Sequence, residues 1–190
     1  MKRLVILAAA LIAFAAPAWA TFDTGWYAYT AGDFVMARGE WLPLARDGDV
    51  RAQFQLGVMY QKGEGVAADA TEAARWYGLA AEQGHAPSQA SLAGLYYAGQ
   101  GVTHDHDEAV RWFERAARQG NTDAQHLLGA LYLRGHGVPK DVVRAHAWLS
   151  LAAMRGSKSA RERRVEVETM MSAAQIEEAE TLRQEMMGSN

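Results

Sequence analysis

The densest group of titratable residues in the chain is the run His104-Asp105-His106-Asp107. Imidazole and carboxylate groups at this spacing could hold a divalent metal ion. A structural metal site usually needs four suitably spaced ligands, however, and the sequence shows no further ligand to complete a site with the two histidines. Asp105 also occupies a position that recurs along the chain as a helix N-cap. We therefore predict a pair of surface loop histidines and no metal site.

Catalytic patterns are absent from the rest of the sequence. His126 and His146 lie in predicted helices, and no serine or aspartate is placed by spacing to complete a triad with either of them. The chain has no cysteine, which excludes a cysteine nucleophile, disulfides and thiolate metal sites. No nucleotide-binding or metalloprotease motif stands in a suitable context. We predict that the protein is not an enzyme and has no cofactor.

The charge of the chain narrows the class of partner. Its 19 basic and 22 acidic residues give a net charge of −3. A nucleic-acid-binding protein usually carries a basic excess on one face, so this balance argues against nucleic acid as a partner. The hydrophobic content of 49% is that of a folded chain.

Residues 1–20 have the order of a secretory signal peptide. Lys2 and Arg3 precede the apolar run Leu4–Ala16, and Ala18-Trp19-Ala20 supplies small residues at a cleavage site. Thirteen apolar residues are too few for a membrane span, which needs about twenty. We expect cleavage after Ala20, a periplasmic or secreted mature chain with a net charge of −5, and no stable membrane span.

A repeat of 36 residues organises the remainder. Gly48, Gly84, Gly120 and Gly156 are spaced by 36, and they delimit three units, 49–84, 85–120 and 121–156. Twelve of the 36 positions are identical in all three units. In the first unit these are Gln53, Leu56, Tyr60, Gly63, Gly65, Val66, Asp69, Ala73, Trp76, Ala80, Ala81 and Gly84.

Each unit is predicted to form two helices. The stripe of Gln, Leu and Tyr has helical spacing, the paired glycines end the first helix, and the aspartate caps the second. A tryptophan on the second helix is expected to fill the space between layers. The structural positions are Leu56, Tyr60, Gly63, Gly65, Asp69 and Trp76; Leu92, Tyr96, Gly99, Gly101, Asp105 and Trp112; and Leu128, Tyr132, Gly135, Gly137, Asp141 and Trp148.

The segment from Ala52 to Gly84 and its two copies resemble the Sel-one-like repeat (SLR), which is related to the tetratricopeptide repeat. Two departures from the pattern are Ala93, where the other units have glycine, and Ala67 and Thr103, where the third unit has Pro139. The resemblance implies an all-α, right-handed α/α solenoid of helix-turn-helix repeats. It also implies an adaptor or scaffold that binds other proteins.

The two ends are expected to cap the solenoid. Residues 21–48 keep half of the repeat pattern, and we predict helices near 24–31 and 34–46 there. Residues 157–190 leave the pattern. They are predicted to form a charged helix over 158–168 and a last helix that begins with the capping box Ser172-Ala-Ala-Gln175.

Positions that differ between units on the concave face are the candidates for partner recognition. Aligned with the tetratricopeptide pattern, they are Arg51, Phe54, Gln55 and Lys62; Ser91 and Tyr97; and Asp123, His126, Leu127, Leu133 and Arg134. We expect a protein or peptide segment to bind there. Two alternatives are a regulator of an envelope sensor kinase and, less favoured, a cell-wall hydrolase that uses His104, His106 or His126.

Overall fold

The computed structural model describes residues 21–188, and every regular element in that range is an α-helix. The signal peptide predicted for residues 1–20 lies outside the described residues. The helices are α1 (Phe22–Thr30), α2 (Phe34–Arg46), α3 (Val50–Lys62), α4 (Ala70–Glu82), α5 (Ala86–Ala98), α6 (His106–Arg118), α7 (Thr122–Arg134), α8 (Val142–Met154), α9 (Lys158–Glu168) and α10 (Ala173–Gly188).

Each helix packs on the next one along the chain from α1 to α9, and α10 returns to pack on α8. This is the arrangement of an α/α solenoid, so the predicted fold class is confirmed. The helix pairs α3–α4, α5–α6 and α7–α8 correspond to the three repeat units. The pairs α1–α2 and α9–α10 stand at the two ends.

The recurrent polar residues set where the helices begin and end. Asp69, Asp105 and Asp141 each accept hydrogen bonds from backbone N–H groups in the first turn of α4, α6 and α8. At the last helix, Ser172 and Gln175 exchange the reciprocal bonds of a capping box. These short-range bonds satisfy helix-end groups that have no partner inside the helix.

A buried glutamine joins each repeat to the helix before it. The side-chain amides of Gln53, Gln89 and Gln125 donate to the carbonyls of Ala45, Ala81 and Ala117, at 3.0, 3.0 and 2.9 Å. Those carbonyls lie near the C-terminal ends of α2, α4 and α6, where intrahelical donors run out. The bond explains why glutamine recurs at a buried position of the repeat.

The tryptophan positions differ in burial. Trp76 and Trp148 are 3% and 4% exposed, whereas Trp112 is only partly buried. Trp112 nevertheless packs against two core clusters, that of Phe113 and that of Tyr77, so it also lies between layers of the solenoid. The residue after each tryptophan is buried in all three units, and in the middle unit it is Phe113. Phe113 belongs to the same core cluster as Leu128 and Leu131.

Candidate functional site

An apolar depression lies between α5 and α7. Its volume is about 240 Å³, and it is lined by Gly94, Tyr97, Phe113, Leu127, Ala130, Leu131 and Arg134. Gly94 and Ala130 carry little or no side chain, and a methyl group built on Gly94 would meet no atom within 4 Å. The space therefore exists because two neighbouring helices present small residues at equivalent positions of the repeat.

A second depression adjoins the first on the other side of α7. It has a volume of about 230 Å³ and is lined by Ala130, Leu133, Arg134, Lys140, Arg163 and Met170. Ala130 and Arg134 line both depressions, so the two form one continuous surface. We call this surface, the lining residues of both depressions, the α7 groove.

The α7 groove combines an apolar floor with a basic edge. Phe113 and Leu131 are almost fully buried beneath it, and Leu127 on its surface is 43% exposed. Arg163 pairs with Glu166 at 2.8 Å. Arg134 and Lys140 form no ion pair with any carboxylate in residues 21–188. Two cations therefore stand uncompensated at the rim, on a chain whose net charge is negative.

Four of the eleven candidate recognition residues meet in the α7 groove: Tyr97, Leu127, Leu133 and Arg134. Phe54 instead packs against Tyr77 and His85, with ring centroids 5.8 and 5.0 Å apart. Ser91 lines neither depression. The nearby Tyr77 hydroxyl donates to Gln61 Oε1 at 2.7 Å, and its pKa is raised, chiefly by burial.

The other five candidates also lie away from the α7 groove. The Arg51 guanidinium lies 4.2 Å from the centre of the Phe22 ring, and Lys62 lies 3.7 Å from Glu64. Gln55, Asp123 and His126 line neither depression. The first repeat thus places Arg51 on helix α1, Lys62 beside the loop after α3, and Phe54 on its own second helix.

Apart from the small residues Gly94 and Ala130, the α7 groove contains five residues that were not among the predicted candidates: Phe113, Leu131, Lys140, Arg163 and Met170. Phe113 and Leu131 reach the floor from buried positions. Arg163 and Met170 belong to the C-terminal end, which was treated as a solvated cap. They lie 36 residues after Leu127 and Arg134, so extending the repeat period by one more unit would have indicated them.

The histidines of the 104–107 run belong to an aromatic cluster. His104 Nε2 lies 3.1 Å from His106 Nε2. The His106 ring stacks on both Tyr97 and His136, with centroids 5.0 Å from each, and those two rings are 6.3 Å apart. The pKa of His106 is lowered by desolvation and by the neighbouring imidazoles of His104 and His136. Within residues 21–188, no three His, Asp or Glu side chains converge as ligands of a metal ion.

His146 is part of the buried framework. It is 1% exposed, and its Nε2 lies 2.9 Å from Glu168 Oε1, which joins α8 to the last residue of α9. Among the described residues, the serine that hydrogen-bonds a histidine is Ser88, whose Oγ lies 2.8 Å from His85 Nδ1. Ser88 is completely buried and lines neither depression of the α7 groove, so substrate cannot reach its hydroxyl.

Comparison with known proteins connects this architecture to one family of repeats. The Sel1 repeat model matches residues 50–85, 86–121 and 122–157. No curated protein matches the chain. None of the helices in residues 21–188 has the length and apolar character needed to cross a membrane.

Three solved structures are similar to the chain. A Sel1 repeat protein from Oxalobacter formigenes is 33% identical over 76% of the chain, with a TM-score of 0.73. The protein c5321, described as a protective antigen of uropathogenic Escherichia coli with an SLR fold, is 29% identical over 88%, with a TM-score of 0.79. Cysteine-rich protein B of Helicobacter pylori is 18% identical over 75% of the chain, with a TM-score of 0.51, and shows the fold alone.

The chain spans only part of the first two of these structures, 59% of the Oxalobacter protein and 38% of c5321. The third is covered over 96% of its length.

Proposed function

Since the chain belongs to the Sel1 repeat family, we propose that it is an exported, non-catalytic interaction module that binds a protein segment in the α7 groove. Sel1 repeat proteins are generally protein-interaction modules on a non-catalytic repeat scaffold. The observation that carries the proposal is the apolar depression between α5 and α7, with Leu127 exposed at its edge.

The chemistry of the α7 groove defines the segment that it would bind. Its apolar floor suits one or two apolar side chains, because covering Leu127 and Tyr97 removes apolar surface from water. Arg134 and Lys140 at the rim favour carboxylates beside those anchors, because each cation lacks an intramolecular counter-charge. The proposed ligand is therefore a segment in which acidic residues flank an apolar anchor.

The position of the α7 groove in the chain supports this assignment. It lies between the last two repeats and the C-terminal end, where Arg163 and Met170 of the segment after the third repeat complete its wall. In the first repeat, three candidate residues already have partners: Arg51 lies on Phe22, Lys62 lies beside Glu64, and Phe54 packs on Tyr77. Recognition is accordingly assigned to the C-terminal half of the solenoid.

Export belongs to the same proposal and rests on the signal-peptide pattern of residues 1–20. Expression of the full chain in the source cells, followed by mass spectrometry of the purified product, tests this part. The expected N-terminus is Thr21, in the periplasm or the medium. A cytoplasmic product that retains Met1 or Lys2 would contradict it.

Site-specific crosslinking tests the α7 groove. A photoreactive phenylalanine analogue is placed at position 127 and, as a matched control, at position 79. Leu127 and Leu79 are 43% and 39% exposed, but Leu79 lies on α4 and does not line the α7 groove. We expect a partner to crosslink from position 127 and not from position 79.

The partner captured in this way is then purified, and its affinity is measured against Leu127→Glu and Leu79→Glu. A glutamate at 127 places a charge over the apolar floor and should weaken binding about tenfold or more. The same substitution at 79 should leave the affinity unchanged. Equal crosslinking from both positions, or equal affinity of both variants, would place recognition outside the α7 groove.

A further inference from the structure

A second cavity lies on a different part of the C-terminal end, between α8, α9 and α10. Its volume is about 290 Å³, and its lining includes Ser150, Met154, Arg161, Arg164, Glu180 and Arg183. None of these residues lines the α7 groove. Three guanidinium groups and one carboxylate surround the cavity, so its local charge is positive although the chain as a whole is negative.

Ser150 gives the cavity a buried polar group without a partner. The residue is 2% exposed, and its Oγ forms no hydrogen bond with any described residue. A buried hydroxyl usually finds a partner, because leaving one unpaired costs free energy. Serines inside helices often bond a carbonyl of the preceding turn, and Ser150 does not. Its hydroxyl is therefore an unpaired, buried donor on a residue that lines the cavity.

The arginines around Ser150 are incompletely paired. Arg161 is exposed and forms no ion pair or hydrogen bond within residues 21–188. Arg164 lies 3.4 Å from Glu168, yet its buried Nε has no hydrogen-bond acceptor in good geometry. Arg183 is held by Glu180 at 2.8 Å and contacts the sulfur of Met154 at 3.3 Å. Donors on three helices thus line one cavity with few acceptors between them.

We propose that this cavity binds the phosphate group of a phosphate monoester. The cavity is lined from three different helices, by Ser150 of α8, by Arg161 and Arg164 of α9, and by Arg183 of α10. A tetrahedral oxyanion can accept hydrogen bonds from several directions at once. Arginine forks suit phosphate oxygens, and the bonds are strengthened by charge. The volume is many times the ~30 Å³ that one water molecule occupies. A phosphate therefore leaves room beside Met154 for the group that carries it.

Thermal unfolding of residues 21–190 in phosphate, against sodium chloride at equal ionic strength, tests the proposal. A ligand that binds only the folded chain raises the unfolding temperature in a concentration-dependent way. We expect phosphate to raise it and chloride not to. Arg161→Gln should weaken the effect about tenfold or more. Arg46→Gln, an exposed and unpaired arginine at the opposite end of the solenoid, should not.

Ser150→Ala separates binding from a structural role. Alanine removes the unpaired hydroxyl and favours the helix, so the variant without phosphate should unfold at a higher temperature than the parent chain. The stabilisation by phosphate should nevertheless be smaller in the variant. If phosphate stabilised the parent, Arg161→Gln and Arg46→Gln equally, or stabilised none of them beyond chloride, the proposal would be overturned.

The phosphate could belong to a small molecule or to a lipid headgroup, and vesicles distinguish the two. Co-sedimentation with phosphatidic acid vesicles that is lost in Arg161→Gln and kept in Arg46→Gln would assign the site to a lipid phosphate. Saturable stabilisation by inorganic phosphate without co-sedimentation would assign it to a soluble phosphate monoester. Either result requires the same dependence on Arg161 and Ser150.

Discussion

The side-chain amide of Gln119 donates a 2.7 Å hydrogen bond to the side-chain oxygen of Gln89. The same bond joins Gln83 to Gln53 at 2.8 Å, one repeat earlier. In the third repeat the donor position is Arg155, and Gln125 Oε1 is buried without a partner. This bond between the two glutamines of a repeat is therefore present in the first two repeats and missing in the third.

Restoring this hydrogen bond in the third repeat should stabilise the protein. Arg155→Gln places an amide where Gln83 and Gln119 stand, and it should bond Gln125 Oε1, with a gain of about 1 kcal/mol in the free energy of unfolding. Urea denaturation measures the change. The reciprocal variant Gln119→Arg removes the existing bond and should cost a similar amount. If Arg155→Gln instead lowered the free energy of unfolding, loss of the contact between Arg155 and Gly120 would outweigh the new hydrogen bond.

The two aromatic residues in the middle of α6 should contribute unequally to stability. Phe113→Ala empties a site in the main core cluster and should cost about 3–5 kcal/mol. Trp112→Ala removes a partly buried ring and should cost clearly less. Chemical denaturation of both variants gives the comparison, and the opposite order would show that Trp112 is the main packing element of this layer.

Gly101 and Gly84 both have a positive φ, at +70° and +90°, but their surroundings differ. A Cβ at Gly84 would meet nothing, so Gly84→Ala should cost only the left-handed backbone strain of about 1–2 kcal/mol. A Cβ at Gly101 would collide with the backbone of Ala70, where α4 begins. Gly101→Ala should therefore cost more, roughly 3–5 kcal/mol. Equal unfolding midpoints of the two variants would mean that the loop at Gly101 shifts at little cost to make room for the methyl group.

Stability should fall in mild acid because of His106. Its pKa is lowered from 6.5 in the folded chain, by desolvation and by His104 and His136, although Asp105 and Asp107 oppose the shift. As the pH falls below about 6.5, the unfolded chain takes up the proton more readily, so folding loses free energy until the folded-state pKa is passed. Urea midpoints at several pH values between 7.5 and 5 should show this slope.

His106→Gln provides the comparison for the acid effect. It should reduce the slope below pH 6.5 without abolishing it, because burial also lowers the pKa of His85. His126→Gln is the matched control, since His126 makes no contact with the aromatic cluster. If both variants kept the parental slope, protonation of His106 would not be coupled to folding.

The helices and their ends could be predicted from the sequence alone because their causes are local. Asp69 caps α4 through bonds to residues two and three positions away, and Gly63 ends α3 through its own left-handed conformation. The 36-residue period then dictates that such helix pairs stack. The two capping helices at the N-terminal end, predicted near 24–31 and 34–46, form over Phe22–Thr30 and Phe34–Arg46.

The sites depend on contacts between residues that are distant in sequence, and only the tertiary structure decided them. Phe54 and Tyr97 were both predicted to face a partner, but Phe54 packs on Tyr77 and His85, whereas Tyr97 lines the α7 groove. His136 joins His106 because the loop at Gly137 packs on the start of α6. The Ser150 hydroxyl is unpaired because neither α9 nor α10 places an acceptor within hydrogen-bond distance of it. Periodicity gives the face of a helix, while the neighbours across that face determine what it can bind.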